Sequence, residues 1–212
     1  MRARKKKWTD PYLREHPNLI SVGASFPYIL KPKQVNVLEI GTGKGDFISR
    51  MAVRYPKYNW CGIEKSADII ALALKKIVEA NIKNVRFVNG DMGEIKEEIK
   101  DNSFDFIFIS HPDPWPKKKN AKRRLTHPHY LECYLRILKP DGCLYFKTDN
   151  TKLYEDSLEF IEEFGKLKLI NKTDDYDNKL DFDTLTEYET KFRNEGIKIK
   201  RIILQKEETL ND

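Results

Sequence analysis

Short apolar runs alternate with amphipathic segments along most of this chain of 212 residues. The apolar runs are bounded by turn residues and predict buried strands, whereas the amphipathic segments show the spacing of about 3.6 residues that is typical of helices. The predicted strands are 35–40, 58–64, 85–88, 104–110, 142–148, 167–172 and 197–205. The predicted helices are 46–54, 66–81, 94–100, 127–138, 151–165 and 184–194, with Asp46 and Ser66 as the expected N-caps of the first two.

Strands that alternate with helices favour an α/β fold with a doubly wound, mostly parallel sheet. The end of the chain differs, because Gly196 links a helix tightly to a long alternating strand. The sequence shows no internal repeat and no linker that would indicate a second domain. We therefore expect one domain over residues 35–212, preceded by a basic arm and lead-in segment over residues 1–34.

The composition is that of a globular protein, with 40% apolar and 34% charged residues. No apolar run approaches the roughly 18 residues of a membrane span, and the N-terminal MRARKKKW is not followed by the apolar core of a secretory signal. The three cysteines are scattered in apolar segments, as expected of buried free thiols in a reducing compartment. We expect a cytoplasmic protein without membrane contact.

Positive charge is concentrated in two short segments. Residues 2–7 contain five basic side chains and residues 117–124 contain six, and without these eleven the formal charge of +6 would be −5. Such clusters are typical of nucleic-acid binding, although a solvated arm and loop would have the same composition. The second cluster consists of Lys117, Lys118, Lys119, Lys122, Arg123 and Arg124.

The glycine-rich segment EIGTGKGDF over residues 39–47 joins the first predicted strand to the first helix. Its spacing matches neither a P-loop nor the dinucleotide fingerprint G-x-G-x-x-G/A. Asp46 at the helix start would also repel a pyrophosphate. The pattern E-x-G-x-G-x-G, with Gly41, Gly43 and Gly45, instead resembles motif I of class I S-adenosylmethionine-dependent methyltransferases.

Three acidic residues accompany three consecutive predicted strands. Glu39 lies before the glycines, Glu64 ends the second strand and Asp91 follows the third. Because the carboxyl ends of parallel strands meet at one edge of a sheet, these acids suit a cationic cofactor. Glu39 would attract the ammonium and sulfonium region of S-adenosylmethionine. Glu64 would accept from the ribose hydroxyls, and Asp91 from the adenine amine.

The segment SHPDPWPKKKNAKRRL over residues 110–125 carries the most specific pattern. Prolines on both sides of Asp113 restrict the backbone and present the carboxylate at low entropic cost. With EIGTGKGDF, GIEKS, YFKTDN and LTEYETKF, the motifs PDPWPKK and KRRL resemble the bacterial tRNA (guanine-N7-)-methyltransferase family over almost the whole chain. That family methylates guanine 46 of the tRNA variable loop. The tripeptide Ser110-His111-Pro112 departs from the family pattern.

The resemblance implies a Rossmann-like class I methyltransferase fold with a seven-stranded sheet and an antiparallel last strand. It also implies S-adenosylmethionine as cofactor, S-adenosylhomocysteine as product and tRNA as substrate. No obligate protein partner is evident, and monomer and homodimer both stay open. The implied cofactor contacts are Glu39, Gly41, Gly43, Gly45, Glu64, Asp91 and Asp113. The implied substrate contacts are Lys117, Asp149, Thr186, Glu187, Tyr188 and Glu189, and the implied RNA contacts are Lys118, Lys119, Lys122, Arg123 and Arg124.

Methylation of guanine N7 needs no general base, because N7 has an in-plane lone pair and carries no proton at neutral pH. The reaction needs alignment, a dry site and compensation for the positive charge that moves onto the purine. We expect Asp113 to be the catalytic residue, either by accepting from the guanine N1–H and amine edge or by facing the developing cation. Asp149 would share that task or, like Asn150, cap a helix.

Structural roles compete with functional ones at three further places. Trp115 would either anchor its loop or stack on a base. The segment TLTEYETKF would contact guanine, form a helix capping box, or do both. The four histidines show no zinc-ligand spacing, so no metal is expected, and His111 is expected to pack or to face solvent.

Three other functions fit parts of the sequence. The corner Asp113-Pro114-Trp115-Pro116 partly mimics the [DNS]-P-P-aromatic corner of methyltransferases that act on exocyclic amines. A non-catalytic RNA-binding protein would keep the basic segments, but the complete glycine turn and the three acids argue against it. A nicotinamide oxidoreductase is disfavoured by the glycine spacing.

Overall fold

The structure is a computed structural model that describes residues 6–22, 30–31, 33–177 and 182–207 and, at Glu187, the backbone alone. The basic residues at positions 2–5 lie outside the described residues. The chain divides into two compact units, residues 1–99 and 100–212.

The first unit is built on four parallel strands. In chain order, its elements are α1 (Thr9–Arg14), β1 (Ile20–Val22), β2 (Asn36–Ile40), α2 (Asp46–Arg54), β3 (Asn59–Glu64), α3 (Ala67–Glu79), β4 (Val85–Asn89) and α4 (Met92–Ile95), followed by a 3₁₀ turn over Lys96–Glu98. The strands lie in the order β1-β4-β3-β2, and every neighbouring pair is parallel. The large side chains of Phe47, Trp60 and Phe87 are at most 2% exposed and fill its core.

The second unit contains parallel and antiparallel pairs. Its elements are β5 (Phe104–Ser110), a 3₁₀ helix over Lys118–Arg123, α5 (Pro128–Ile137), β6 (Leu138–Thr148), α6 (Thr151–Phe164), β7 (Lys168–Thr173), α7 (Glu187–Asn194) and β8 (Lys200–Gln205). β5 pairs with β6 in parallel, whereas β8 pairs antiparallel with both β6 and β7. The predicted antiparallel last strand is therefore confirmed.

Every predicted strand and helix is present, with most ends shifted by a few residues. The described residues add α1 and β1, so they contain eight strands rather than the expected seven. β1 is only three residues long, which is too short to show a period in the sequence. It nevertheless pairs with β4, and Thr9 of α1 donates to Asp68 of α3 at 2.8 Å. The division of the chain at residue 34 stays a prediction.

The helix caps differ from the expected ones. The prediction that Asp46 caps α2 is wrong, because Gly45 is the N-cap in a left-handed conformation and Asp46 pairs with Lys76. Ser66 occupies the N-cap position of α3, but its side chain makes no capping hydrogen bond.

Candidate functional site

In the first unit, the chain turns sharply between β2 and α2. Gly41 and Gly45 have φ angles of +77° and +76°, in the left-handed region that favours glycine. The amides of Gly41 and Thr42 donate to the Ile63 carbonyl at 2.8 and 3.0 Å. These bonds hold the turn against the end of β3.

Gly41 and Gly45 differ in the space beside their α-carbons. A methyl group on Gly45 would lie 2.8 Å from Ala73 Cβ of α3, so close packing of the turn on that helix requires glycine. A methyl group on Gly41 would meet no atom of the described chain within 4 Å. The turn therefore leaves room at Gly41 for a ligand to approach the backbone.

The three predicted cofactor acids accompany β2, β3 and β4, which are neighbouring strands of this unit. Glu39 is buried and accepts from the Thr42 hydroxyl at 2.5 Å. Glu64 accepts from the Gly43 amide at 3.2 Å, and Asp91 accepts from an amide of α4 at 2.8 Å. Each carboxylate is thus held by the loop that follows its own strand or by the glycine turn. The set could hold a ligand that carries positive charge and hydrogen-bond donors.

In the second unit, a strained corner follows β5. Two of its non-glycine residues, His111 and Trp115, have φ angles of +50° and +42°. Such conformations cost of order 1–3 kcal/mol each and persist where surrounding contacts impose them. The His111 amide donates to the Lys147 carbonyl at 2.8 Å, which fixes the start of the corner. Asp113 lies between these two residues and is exposed.

Arg124 differs from the other members of the basic segment. It is only 4% exposed, and its guanidinium donates to Asp156 at 2.5 Å and to the carbonyls of Pro114 and Trp115 at 3.1 and 3.3 Å. The expectation that Arg124 grips the RNA backbone does not fit this position, because its charge is turned into the protein. Burial alone would raise the pKa of the Asp156 carboxyl, but contacts with Lys152 and Arg124 outweigh burial and lower that pKa.

The remaining basic residues face outward. Four of them lie on the 3₁₀ helix and are exposed, as is Lys117 just before it. The Arg123 guanidinium also lies 4.7 Å from the centre of the Trp115 ring, a cation–π distance. Trp115 therefore has an intramolecular partner, which favours the loop-anchor role over base stacking in this conformation. The exposed residues of the 3₁₀ helix are Lys118, Lys119, Lys122 and Arg123.

Asp149 does not cap a helix. Asn150 is the N-cap of α6, because its side chain accepts from the Leu153 amide at 2.8 Å. The Asp149 carboxylate instead lies 3.1 Å from His111 Nδ1, and its side chain is 26% exposed. The hydrogen bond from His111 lowers the pKa of the Asp149 carboxyl. Asp149 is thus both oriented by the protein and accessible from outside.

Glu189 has a structural role. Its side chain is fully buried, accepts from the Thr186 amide at 3.0 Å and completes a capping box with Thr186. One of its oxygens lies 2.9 Å from Lys147 Nζ and 3.8 Å from His111 Nε2. Burial alone would raise the pKa of the Glu189 carboxyl, but His111 and Lys147 lower it to about 2. The expectation that Glu189 reads guanine does not fit this burial, whereas the capping box is confirmed.

Tyr188 is the accessible member of the TEYE segment, with 49% of its surface exposed. Its ring packs edge-on against Phe192 with centroids 4.4 Å apart and lies 4.9 Å from the His111 ring. Thr186 is buried in the capping box, and the side chain of Glu187 lies outside the described residues.

Comparison with known proteins identifies the family. A family model described as "Putative methyltransferase" matches residues 33–202. A tRNA (guanine-N(7)-)-methyltransferase of Macrococcus caseolyticus is 39% identical, with 95% of this chain and 98% of the relative aligned. The chain belongs to the tRNA (guanine-N(7)-)-methyltransferase family. A second tRNA (guanine-N(7)-)-methyltransferase, from Staphylococcus haemolyticus, is 38% identical, with 95% of this chain and 96% of the relative aligned.

Solved methyltransferase structures share the fold of this chain. A SAM-dependent methyltransferase of Aquifex aeolicus aligns over 93% of this chain and 88% of its own, with a TM-score of 0.57 and 16% identity. At that identity the likeness shows the fold alone. The α/β class with a mostly parallel sheet, expected from the sequence, is confirmed.

The sequence did not predict the buried network formed by His111, Lys147, Asp183 and Glu189. Lys147 is 1% exposed and lies 2.8 Å from Asp183 as well as 2.9 Å from Glu189. Burial alone would lower the pKa of His111, but the neighbouring carboxylates of Asp149 and Glu189 outweigh burial and raise it. The sequence does contain one indication of this network, because Lys147 lies inside the apolar strand YFKT and a buried ammonium requires an acidic partner.

The described residues form neither a metal-binding cluster nor a membrane-spanning helix. Within residues 6–22, 30–31, 33–177 and 182–207, no group of three or more His, Cys, Asp or Glu side chains is placed to hold a metal ion. In the same part of the chain, no helix is both long and apolar enough to cross a membrane.

Proposed function

We propose that this chain transfers the methyl group of S-adenosylmethionine to N7 of guanine in tRNA, at guanine 46 of the variable loop. The observation that carries the proposal is the 39% identity, over 95% of the chain, to a relative named for guanine-N7 methylation of tRNA. The position 46 rests on the resemblance of the motifs alone. Because tRNA is the substrate, we place the protein in the cytoplasm, with residues 35–212 as the methyltransferase domain.

The first unit fits the cofactor. S-adenosylmethionine has an ammonium, ribose hydroxyls and an adenine amine, all of which donate hydrogen bonds. Glu64 and Asp91 each accept from the backbone and still have acceptor capacity for the ribose and the adenine. Glu39 orders the turn through Thr42, and its negative charge would attract the ammonium and sulfonium region of the cofactor. The open space at Gly41 lets the cofactor lie against the backbone.

The chemistry requires no proton transfer before the methyl group moves. The bound cofactor supplies an electrophilic methyl group on a sulfonium. Transfer of that group from sulfur to N7 would leave a neutral thioether and move the positive charge onto the guanine. Asp113 stabilises that charge or orients the guanine edge, and preorganised charge of this kind is a large contributor to catalysis. Asp149, held by His111, and the exposed Tyr188 complete the guanine contacts.

The outward-facing cations bind the RNA backbone. Lys118, Lys119, Lys122 and Arg123 are exposed on one short 3₁₀ helix that begins five residues after Asp113. Phosphate contacts of this kind position RNA without reading its sequence. Lys117, which precedes the helix, is closer in sequence to Asp113 and would bind a phosphate or the guanine carbonyl.

Nucleoside analysis tests the proposal. Unmodified tRNA transcripts carrying guanine or adenine at position 46 are incubated with the protein and a labelled methyl donor, and the product nucleosides are identified. We expect 7-methylguanosine, a labile site for borohydride and aniline cleavage at position 46, and no product from the adenine transcript. A methylated exocyclic amine, which resists that cleavage, would overturn the assignment of N7. Cleavage at another guanine would overturn position 46 alone.

A further inference from the structure

The strongest unassigned feature is the buried ion pair behind the Asp113 corner. Arg124 belongs by sequence to a run of exposed cations, yet its guanidinium is buried against Asp156 of α6 at 2.5 Å. Lys152, one turn earlier in α6, also pairs with Asp156. A few residues along, the buried hydroxyls of Thr126 and Ser157 lie 2.7 Å apart.

The guanidinium reaches two consecutive carbonyls of the corner. Arg124 Nε donates to the Pro114 carbonyl at 3.1 Å, and Nη2 donates to the Trp115 carbonyl at 3.3 Å. These are the first two residues after Asp113, and Trp115 has the unfavourable φ angle of +42°. At the other end of the corner, the His111 amide is held by the Lys147 carbonyl at 2.8 Å. The backbone is therefore fixed on both sides of Asp113.

We propose that Arg124 is a positioning residue that, anchored by Asp156, holds the Pro114–Trp115 backbone and so places the Asp113 carboxylate for the reaction. Arg124 acts through the corner and does not bind RNA. A planar guanidinium suits this task, because it presents several donors in a fixed fork, whereas a lysine ammonium cannot hold three separated acceptors in one plane. The inference rests on the proposed function, since it assigns a support to the residue that acts on guanine.

Two variants test the role from the two sides of the ion pair. Arg124→Lys keeps the positive charge and removes the fork, whereas Asp156→Asn removes a negative charge and weakens the anchor. For both we expect kcat to fall by about 10- to 100-fold, because small misplacements of a reacting group have effects of this size. The dissociation constant for tRNA and its dependence on salt stay as in the wild type. A third variant, Arg124→Gln, also removes the positive charge, and the loss of a phosphate contact would lower its slope of log K against log salt by about 0.7–0.9.

Two matched controls bracket the result. Lys152→Ala removes a second partner of Asp156. The Lys152 side chain is 68% exposed, so we expect this variant to keep full activity. Lys119→Ala removes an exposed cation of the 3₁₀ helix, and we expect a weaker, less salt-dependent tRNA complex. S-adenosylhomocysteine binding and thermal unfolding are measured for every variant, so that kcat refers to folded protein.

The outcomes separate the possibilities. Lower kcat in both variants, with tRNA affinity and salt slope unchanged, supports the positioning role. A reduced salt slope in Arg124→Gln with normal kcat at saturating tRNA, or normal kcat in both Arg124→Lys and Asp156→Asn, overturns it. Loss of cooperative unfolding in both variants also overturns it and assigns the ion pair to folding. If the wild type makes no 7-methylguanosine, the proposed function fails first, and that result is read separately from the variants.

Discussion

At the scale of single residues, the proposed methyl transfer depends most on Asp113. Asp113→Asn keeps the shape of the side chain and removes its charge. We expect kcat to fall by about 10²-fold or more, because the carboxylate no longer offsets the charge that moves onto guanine. Methyl transfer at saturating tRNA measures this loss. The control Asp141→Asn changes another exposed acid of the second unit and should leave kcat unaltered. Equal kcat in Asp113→Asn and wild type would contradict the role.

Glu189 gives a prediction about pH and stability. Its carboxyl has a pKa of about 2 in the folded protein, below the ordinary value of 4.5. A carboxyl whose pKa is lowered by folding stabilises the folded state at pH values above its pKa in the unfolded chain. For Glu189 this contribution is lost as the pH falls from 4.5 through 2. At pH 7 the contribution is about 3 kcal/mol, since one pKa unit corresponds to about 1.4 kcal/mol.

The variant Glu189→Gln isolates this charge, because glutamine also completes a capping box. Urea unfolding of wild type and variant between pH 7 and pH 2 should show a stability difference that shrinks toward zero at the acidic end. Glu132→Gln, which alters an exposed ion pair with Lys166, should change stability by less than about 1 kcal/mol at every pH. A difference for Glu189→Gln that is constant with pH would refute the electrostatic explanation.

The sequence predicted side-chain types better than side-chain environments. Asp113 was identified from its prolines and the motif, which are local. Arg123 and Arg124 are adjacent and chemically identical, and nothing in the local pattern separates the exposed arginine from the buried one. His111, Lys147 and Glu189 come together from three distant segments, so their network depends on tertiary structure.

The glycine turn gives the clearest prediction at the scale of elements. Gly45→Ala places a methyl group 2.8 Å from Ala73 and also strains a left-handed residue. We expect destabilisation of about 2–4 kcal/mol, of which about 1–2 kcal/mol is backbone strain. Gly41 has a similar φ angle, but a methyl group there would meet no atom of the described chain. For Gly41→Ala we therefore expect only the destabilisation of about 1–2 kcal/mol that comes from backbone strain.

The two glycine variants should therefore separate packing from binding. Urea unfolding should show Gly45→Ala as the less stable of the two. Calorimetry with S-adenosylhomocysteine should show a loss of affinity in Gly41→Ala of about tenfold or more, because the methyl group occupies space left for the cofactor. Equal stabilities would argue against the contact with Ala73, and normal affinity in Gly41→Ala would place the cofactor elsewhere.

Elements were predictable where periodicity was long. The bounds of α2 and β5 agree with the expected ranges, because their apolar positions define a complete face or run. β1 and α1 were missed, since three and six residues are too short to establish a period. The 3₁₀ helix over Lys118–Arg123 was missed as well, because its composition is that of a solvated loop.

At the scale of the whole molecule, the distribution of charge should govern tRNA binding. Replacing Lys118, Lys119 and Lys122 with glutamine lowers the formal charge from +6 to +3. If each lysine contacts one phosphate, the slope of log K against log salt should fall by about 2–3. Measuring the tRNA dissociation constant from 50 to 300 mM salt, over which the Debye length falls from about 14 Å to about 6 Å, tests this expectation.

A control triple variant has the same net charge. Lys75, Lys166 and Lys168 are exposed and pair with acidic residues, so replacing them with glutamine again gives +3. We expect this variant to retain a salt slope close to that of the wild type. Equal slopes in the two triple variants would show that net charge, rather than the 3₁₀ helix, determines RNA binding.

The central claim is that guanine N7 is the methyl acceptor, and replacing that atom tests it most directly. A tRNA with 7-deazaguanine at position 46 has carbon in place of N7 and keeps the guanine N1–H and amine edge. The account predicts that this tRNA binds with normal affinity and accepts no methyl group at that position, while the unmodified transcript is methylated. Methyl transfer to the 7-deazaguanine residue at the normal rate would contradict the account.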